Sequence, residues 1–291
     1  LSDFKCQFHV RHADIQTPNS VDAMFYNVSE QTSNLIRDEF TDIVLYAGYE
    51  QGAYGLVFKG NIKRTRYGRQ NAIDTYLHIM AADGDEAITQ ALVSATLGAG
   101  YSREAVYSAI GSTLRPYGIS VDPLPADVAA AGQPSPRGRA IFGMSRDQMR
   151  TFARGNDLVW SIQDERLSVA RLGQTNPRAI VIDLNSRTGL IGIPNQTQNG
   201  IMARALLNPA MRPRGLVRIN QRDIATAPFS PAYGAINYFP SIASDGLYHI
   251  VAVDFLGDTR GNDWYSDLVL LAVNGTAPIS RGVIGMMVTG P

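Results

Sequence analysis

Large apolar and polar residues alternate along Phe4-Lys5-Cys6-Gln7-Phe8-His9-Val10, the pattern of a strand with one buried face. A polar stretch follows from Thr17 to Asn34. Three further apolar runs then predict strands at Asp42–Ala47, Gly55–Ile62 and Ile73–Ile79, with Gly48, Gly52 and Gly68 as turn residues between them. Together they predict an antiparallel meander.

The period changes at Asp83-Gly84-Asp85. Ala87, Ile88, Ala91, Leu92 and Ala95 recur at helical spacing, and Gly98 and Gly100 end that helix. A second helix begins at Ser102 and stops near Pro116-Tyr117-Gly118, so the two form a helical hairpin. From Val121 to Arg139 the prolines at 123, 125, 134 and 136 predict an extended connection without a core and with low order. Ser145 caps a third helix with Met149, Phe152 and Ala153 on one face, and a hairpin of Val159–Gln163 and Leu167–Val169 follows. Strands return at Ala179–Leu184, Leu190–Ile193, Ile201–Leu207, Leu216–Ile219, Tyr248–Phe255 and Leu268–Val273.

The expected fold class is therefore α+β, mainly β. It divides into a β-unit over residues 1–83, which later strands could complete, an insert over 84–177, and a second β-unit over 178–291. The insert holds the helical hairpin, the Pro-rich connection and the helix-plus-hairpin module. Two strand-rich flanks suggest a duplication, although no residue-level repeat supports one.

Composition removes several function classes. Lys plus Arg equals Asp plus Glu at 26 each among 291 residues, so no whole-molecule field draws in DNA, a membrane or an acidic substrate. No uncharged apolar run approaches the roughly 20 residues of a membrane span, and the N-terminus lacks the apolar core of a signal peptide. The single cysteine, Cys6, is read as an inert strand residue, so packing alone must hold the fold.

Candidate chemistry is thin. His9 and His12 point to opposite faces if they lie in a strand, which argues against a metal site. His78 and His249 sit within apolar strand patterns and read as satisfied core or interface histidines. Asp83, Asp85 and Glu86 could serve acid–base work on a glycoside, or could simply meet the positive end of a helix. Gly98-Ala99-Gly100 lacks the Lys and Ser/Thr of a phosphate loop, and HExxH, GxSxG and paired CxxC motifs are missing. No catalytic, metal-binding or cofactor-binding residue is assigned, and no small-molecule substrate is expected. Arg187, Arg204, Arg212, Arg214, Arg218 and Arg222 lie in a segment without Asp or Glu. They are the candidate partner or lumen surface, facing an acidic protein or DNA, with solvated loop residues as the alternative.

Several segments together resemble the baseplate hub proteins of phage tails. The first group is Val44–Glu50, Gly55–Ile62, Asp74–Leu77 and Ala81–Asp85. The second is Gly189–Pro194, Ala205–Pro209, Arg212–Gly215 and Gly257–Arg260 before Trp264. Ser145–Val169 is similar to the helix-plus-hairpin module that hubs of contractile tails and related secretion-system spikes carry. The resemblance implies a non-enzymatic structural protein of the virion tail baseplate, assembled in the host cytoplasm. It implies two tail-tube-like β-barrels per chain and a homotrimer forming a pseudo-sixfold ring. The implied partners are the tail tube protein, the spike protein and other baseplate proteins, with genomic DNA passing through a channel without specific binding and no membrane contact. A hub-associated cell-wall hydrolase, another tube or distal-tail subunit, and a secretion-system component of the same fold are the alternatives.

Overall fold

A computed structural model describes residues 3–130, 134–171, 174–175, 179–228, 231 and 239–274. Its first flank contains β1 (Cys6–Ala13), β2 (Ser20–Tyr26), α1 (Glu30–Glu39), β3 (Asp42–Gly48), β4 (Tyr54–Arg69) and β5 (Thr75–Ala82). The middle contains α2 (Asp85–Gln90), β6 (Leu92–Leu97), α3 (Arg103–Ser112), β7 (Ser120–Val121), α4 (Ala126–Ala130), β8 (Arg139–Met144), α5 (Ser145–Arg154), β9 (Leu158–Ile162) and β10 (Arg166–Arg171). The last flank contains β11 (Val181–Asp183), β12 (Leu190–Thr197), β13 (Gly200–Leu206), β14 (Leu216–Arg218), β15 (Leu247–Asp258) and β16 (Trp264–Ala272). The protein is mainly β, as the alternation predicts.

The two flanks share one sheet. Nine strands run in the order β12-β13-β16-β15-β1-β2-β5-β4-β3, and β14 and β11 branch from β15 to make eleven. The joint between flanks is the β1–β15 ladder, where His12 lies opposite Val253 and Val10 opposite Phe255. One continuous core covers the inner face, from Ala47, Val57 and Phe58 through Val10, Leu77, Tyr248 and Phe255 to Ile201 and Leu270. The sheet curls far enough that Tyr49 Oη, in the β3–β4 turn, donates to the Trp264 carbonyl at 3.4 Å. Among the described residues no ladder closes either flank into a separate barrel.

The middle segment has a second core, built from Val93, Val106, Ile110, Ile141, Met149, Phe152, Trp160 and Leu167. Each large side chain buried there contributes about 1.5–3 kcal/mol of transfer free energy. Helix α3 starts as expected, with Ser102 Oγ accepting from the Ala105 amide at 3.2 Å. Helix α5 buries Met149, Phe152 and Ala153, the face the spacing predicts.

The Thr17–Asn34 stretch, for which the sequence predicts no element, holds β2, where Val21, Ala23 and Phe25 alternate inward, and the start of α1, capped by Ser29. Three local expectations are corrected. The apolar set from Ala87 to Ala95 is split between two elements, because α2 ends at Gln90 and Leu92–Leu97 pairs with β8. The helical hairpin is therefore absent. Val93 is buried while Leu92 is 64% exposed, a period of two that the run of Ala and Leu disguised as helical. The Pro-rich connection is not coreless, since Leu124 and Val128 are buried in the second core and Tyr107 Oη donates to the Asp122 carbonyl at 2.7 Å. Ser145 does not cap α5: it is the first helical residue, and its hydroxyl meets Thr113 Oγ1 at 2.7 Å.

Candidate functional site

The two cores meet across a seam of polar side chains, organised around the β9–β10 hairpin. The hairpin turns on Asp164 and Glu165, both with positive φ (51° and 61°), as a two-residue turn of the primed kind requires. Neither is Gly or Asn, so the left-handed backbone needs support. Asp83 supplies it: its carboxylate accepts from the Asp164 amide at 2.5 Å and from the Glu165 amide at 2.9 Å. Gly84 lets the chain approach this hairpin, because a Cβ there would lie 2.9 Å from Ile162 Cδ1 at a φ of +65°. Lys59 pairs with Glu165, and Arg212 lies 3.5 Å from the Asp164 carboxylate.

Two further groups lock the hairpin to β1. Asn19 Nδ2 donates to the Ile162 carbonyl at 3.0 Å and to Gln163 Oε1 at 2.9 Å, while Gln163 Nε2 donates to the Ala13 carbonyl at 2.8 Å. Arg214 grips Asp14 with two bonds, 2.8 Å from Nε and 2.7 Å from Nη2, and donates a third to Ser168 Oγ at 2.9 Å. Ser161 Oγ donates to Asp14 Oδ1 at 3.0 Å. Every member of this last group is paired, which is what makes burial of the charges tolerable.

Burial sets the protonation of the seam. The Asp83 carboxyl is pushed up to about 7, chiefly by desolvation, against the pull of its two amide donors. Asp164 is raised for the same reason, with Arg212 opposing. His12 is driven down to about 3 by burial first and by the Arg212 guanidinium second. Its neutral ring lies 2.8 Å from both the Val57 carbonyl oxygen and Arg212 Nη1. Arg212 also donates to the Val57 carbonyl at 3.0 Å and to the Leu56 carbonyl. These carbonyls lie on the part of β4 before its ladder with β5 begins at Asn61, so Arg212 satisfies backbone that the sheet leaves open.

The six arginines of the acid-free segment do not form one patch. Arg212 and Arg214 belong to the seam. Arg204 is exposed on β13, bidentate to Asp267 at 2.7 and 2.9 Å and stacked 4.0 Å over the Tyr265 ring. Arg218 faces Asp183 at 3.4 Å. Arg187 and Arg222 are exposed, and Arg222 joins Arg218, Asn185 and Asp245 in lining a shallow trough of about 620 Å³. The acidic trio is likewise dispersed: Asp83 is buried, Asp85 meets Lys63 at 2.8 Å, and Glu86 faces solvent. No carboxylate pair converges on a cleft from these three.

The remaining expectations fall out of strand geometry. His9 and His12 lie on opposite faces of β1, and His9 sits 3.4 Å from Asp254. His78 is buried against Asp22 at 2.7 Å. His249 is buried with neither ring nitrogen hydrogen-bonded, so it is a core histidine but not a satisfied one. Cys6 is buried on β1, and desolvation raises its thiol to about 12, which keeps it protonated. Among the described residues no cluster of three His, Cys, Asp or Glu could hold a metal ion, and no helix is long and apolar enough to cross a membrane.

The sheet offers surfaces of contrasting character. Its outer face carries the Arg204–Asp267 ion pair and the His9–Asp254 and His78–Asp22 contacts. Strand β3 is a terminal edge with no further partner strand among the described residues, and it is apolar: Val44 is 46% and Tyr46 55% exposed, with Tyr46 stacked on Tyr54 at 6.3 Å. At the opposite end, β12 is blunted by Pro194 and a bridge from Asn195 to Ala225.

No family model matches the sequence, and no curated protein matches it. Solved structures do match across nearly the whole chain. The 43 kDa tail protein of prophage MuSo2 from Shewanella oneidensis superposes with a TM-score of 0.54 at 10% identity, covering 93% of this chain and 94% of that one. The tail protein from Neisseria meningitidis MC58 gives 0.55 at 9% identity, covering 98% and 94%. The E. coli c3393 protein gives 0.53 at 10% identity, covering 96% and 77%. It is described as a component of the type VI secretion system with structural similarity to the T4 bacteriophage tail proteins gp27 and gp5.

The fold is thus one shared by phage tail proteins and a secretion-system component. The resemblance carried by Val44–Glu50, Gly55–Ile62 and the downstream segments holds at the level of that fold.

Proposed function

We propose that this chain is a structural, non-enzymatic hub subunit of a phage tail baseplate. Three copies form a ring that joins the tail tube to the central spike and leaves a channel for DNA. In this reading each flank of the chain, residues 1–83 and 178–291, takes the place of one tube-like barrel in a pseudo-sixfold ring, with 84–177 as the insert between them. The ring assembles in the host cytoplasm and resides in the virion.

The observation that carries the reading is the open, unguarded edge of β3 on a sheet whose fold is that of tail proteins. An apolar terminal strand without Lys or Pro is an aggregation hazard unless a neighbour covers it, and ring formation covers it.

The hydrolase alternative loses its best group, since Asp83 points into the seam and holds two backbone amides. The secretion-system alternative keeps the same fold and differs only in the particle that contains it.

Native mass measurement tests the proposal. A trimer is expected at high concentration, or on addition of tube and spike partners. A chain that stays monomeric under both conditions would defeat the hub reading. Six copies per particle would instead assign a tube ring.

A further inference from the structure

Strand β4 is twice as long as the edge strand beside it needs. Its ladder with β3 ends at Asn61 opposite Asp42, yet β4 continues to Arg69, bonded to β5 alone. Residues 63–69 therefore present a second free backbone edge, on which Lys63, Arg64, Arg66, Tyr67 and Arg69 are exposed. The segment from Asn61 to Gln70 contains these four cations and no Asp or Glu. Lys63 is paired with Asp85, but Arg64, Arg66 and Arg69 have no ion-pair partner among the described residues.

From this juxtaposition of free edge and unpaired cations, we infer that residues 63–69 of β4 are a docking edge for an extended, acidic segment of a different protein. The incoming strand would add to the sheet by backbone hydrogen bonds. Arg64 and Arg66 lie opposite Met80 and His78, on one face and about 6.8 Å apart along the strand. That is the spacing of carboxylates at alternate positions of a neighbouring strand, so each guanidinium gains a cross-strand partner. A second copy of this chain is disfavoured, because self-pairing of these edges would set cations against cations. Duplex DNA would meet the charges but could not satisfy the alternating amides and carbonyls of the edge.

The inference is independent of the hub reading and is tested on the full chain. The probe is a fluorescent ten-residue peptide alternating Glu with Val and Thr, followed by anisotropy at low and moderate salt. Saturable binding is expected, weakened roughly tenfold by Arg64→Ala with Arg66→Ala. The charge-reversed pair Arg64→Glu with Arg66→Glu should lose this peptide and gain its Lys-for-Glu counterpart, a switch that a misfolded variant would not show. Methylation of alternate backbone nitrogens in the peptide should abolish binding. Peptide binding that survives methylation, or duplex DNA binding in place of the peptide, would overturn the proposal, as would no binding at low salt.

Discussion

Replacing Asp14 by Ala tests whether the seam is what holds the middle segment to the sheet. Asp14 and Arg214 have side chains only 11% and 10% exposed, and they are joined by two charge-assisted bonds of 2.7 and 2.8 Å. An exposed ion pair is worth about 0–1 kcal/mol, but removing one member of a buried pair strands the other and costs about 3–5 kcal/mol. Ser161, itself buried, loses its acceptor as well. For a chain of 291 residues the loss corresponds to a fall in melting temperature of roughly 5–8 °C.

The double replacement Asp14→Leu with Arg214→Met removes both charges and should recover a large part of that loss, since an apolar pair of similar volume needs no desolvation. Urea unfolding followed by near-ultraviolet circular dichroism, with Trp160 on β9 as reporter, gives the single, single and double values of a mutant cycle. An Asp14→Ala loss below about 1 kcal/mol would refute the argument, because it would mean that the pair behaves as a solvated one.

Three other outcomes follow from the same physics. Because the Asp83 carboxyl is raised from 3.8 to about 7, the native protein keeps a proton that the unfolded chain releases, so this group makes stability fall as pH rises between those values. Asp83→Asn should flatten that part of a urea-midpoint profile, and an unchanged slope would reject the assignment. His12 has the opposite sign: it is held down to about 3 against 6.5, so its contribution is lost as pH falls through that window, and His12→Gln should reduce the acid sensitivity of the thermal midpoint. Gly257→Ala places a Cβ 2.3 Å from Phe8 Cζ and 2.9 Å from Trp264 Cζ3 and should cost about 1–3 kcal/mol in chemical denaturation.

What could be read in the chain is what short-range periodicity encodes. The strand at Ile201–Leu207 has one face in the core and the other outside, whereas Tyr248–Phe255 is marked by an apolar run of which Tyr248 to Val251 are all buried. Leu92–Leu97 fits a helix as well as a strand by sequence because Ala and Leu serve either period, and only its ladder with Arg139–Met144, more than 40 residues away, makes it a strand. The seam was illegible for a stronger reason. Asp14 finds Arg214 across 200 residues, and Asp83 finds the Asp164 and Glu165 amides across 81 and 82. No local spacing marks such pairs. Asp83, an acid beside a Gly, fits a helix start or acid–base work by its local spacing and serves a distant turn instead.

Arginine shows why composition alone misleads about surfaces in a protein of this kind. Arg204, Arg212 and Arg214 come from one acid-free run, yet the acids that neutralise them lie in three other parts of the chain, at Asp267, Asp164 and Asp14. The fold returns these acids because β13 pairs with β16 and the β9–β10 hairpin packs against β1. The run at Lys63–Arg69, by contrast, sits on a strand end that has no second neighbour among the described residues, and none of those residues delivers an acid to Arg64, Arg66 or Arg69. Whether a basic run becomes a partner surface is therefore decided by strand order. An edge that stays unpaired keeps its charge, and among the described residues the end of β4 is such an edge, with backbone left to offer another protein.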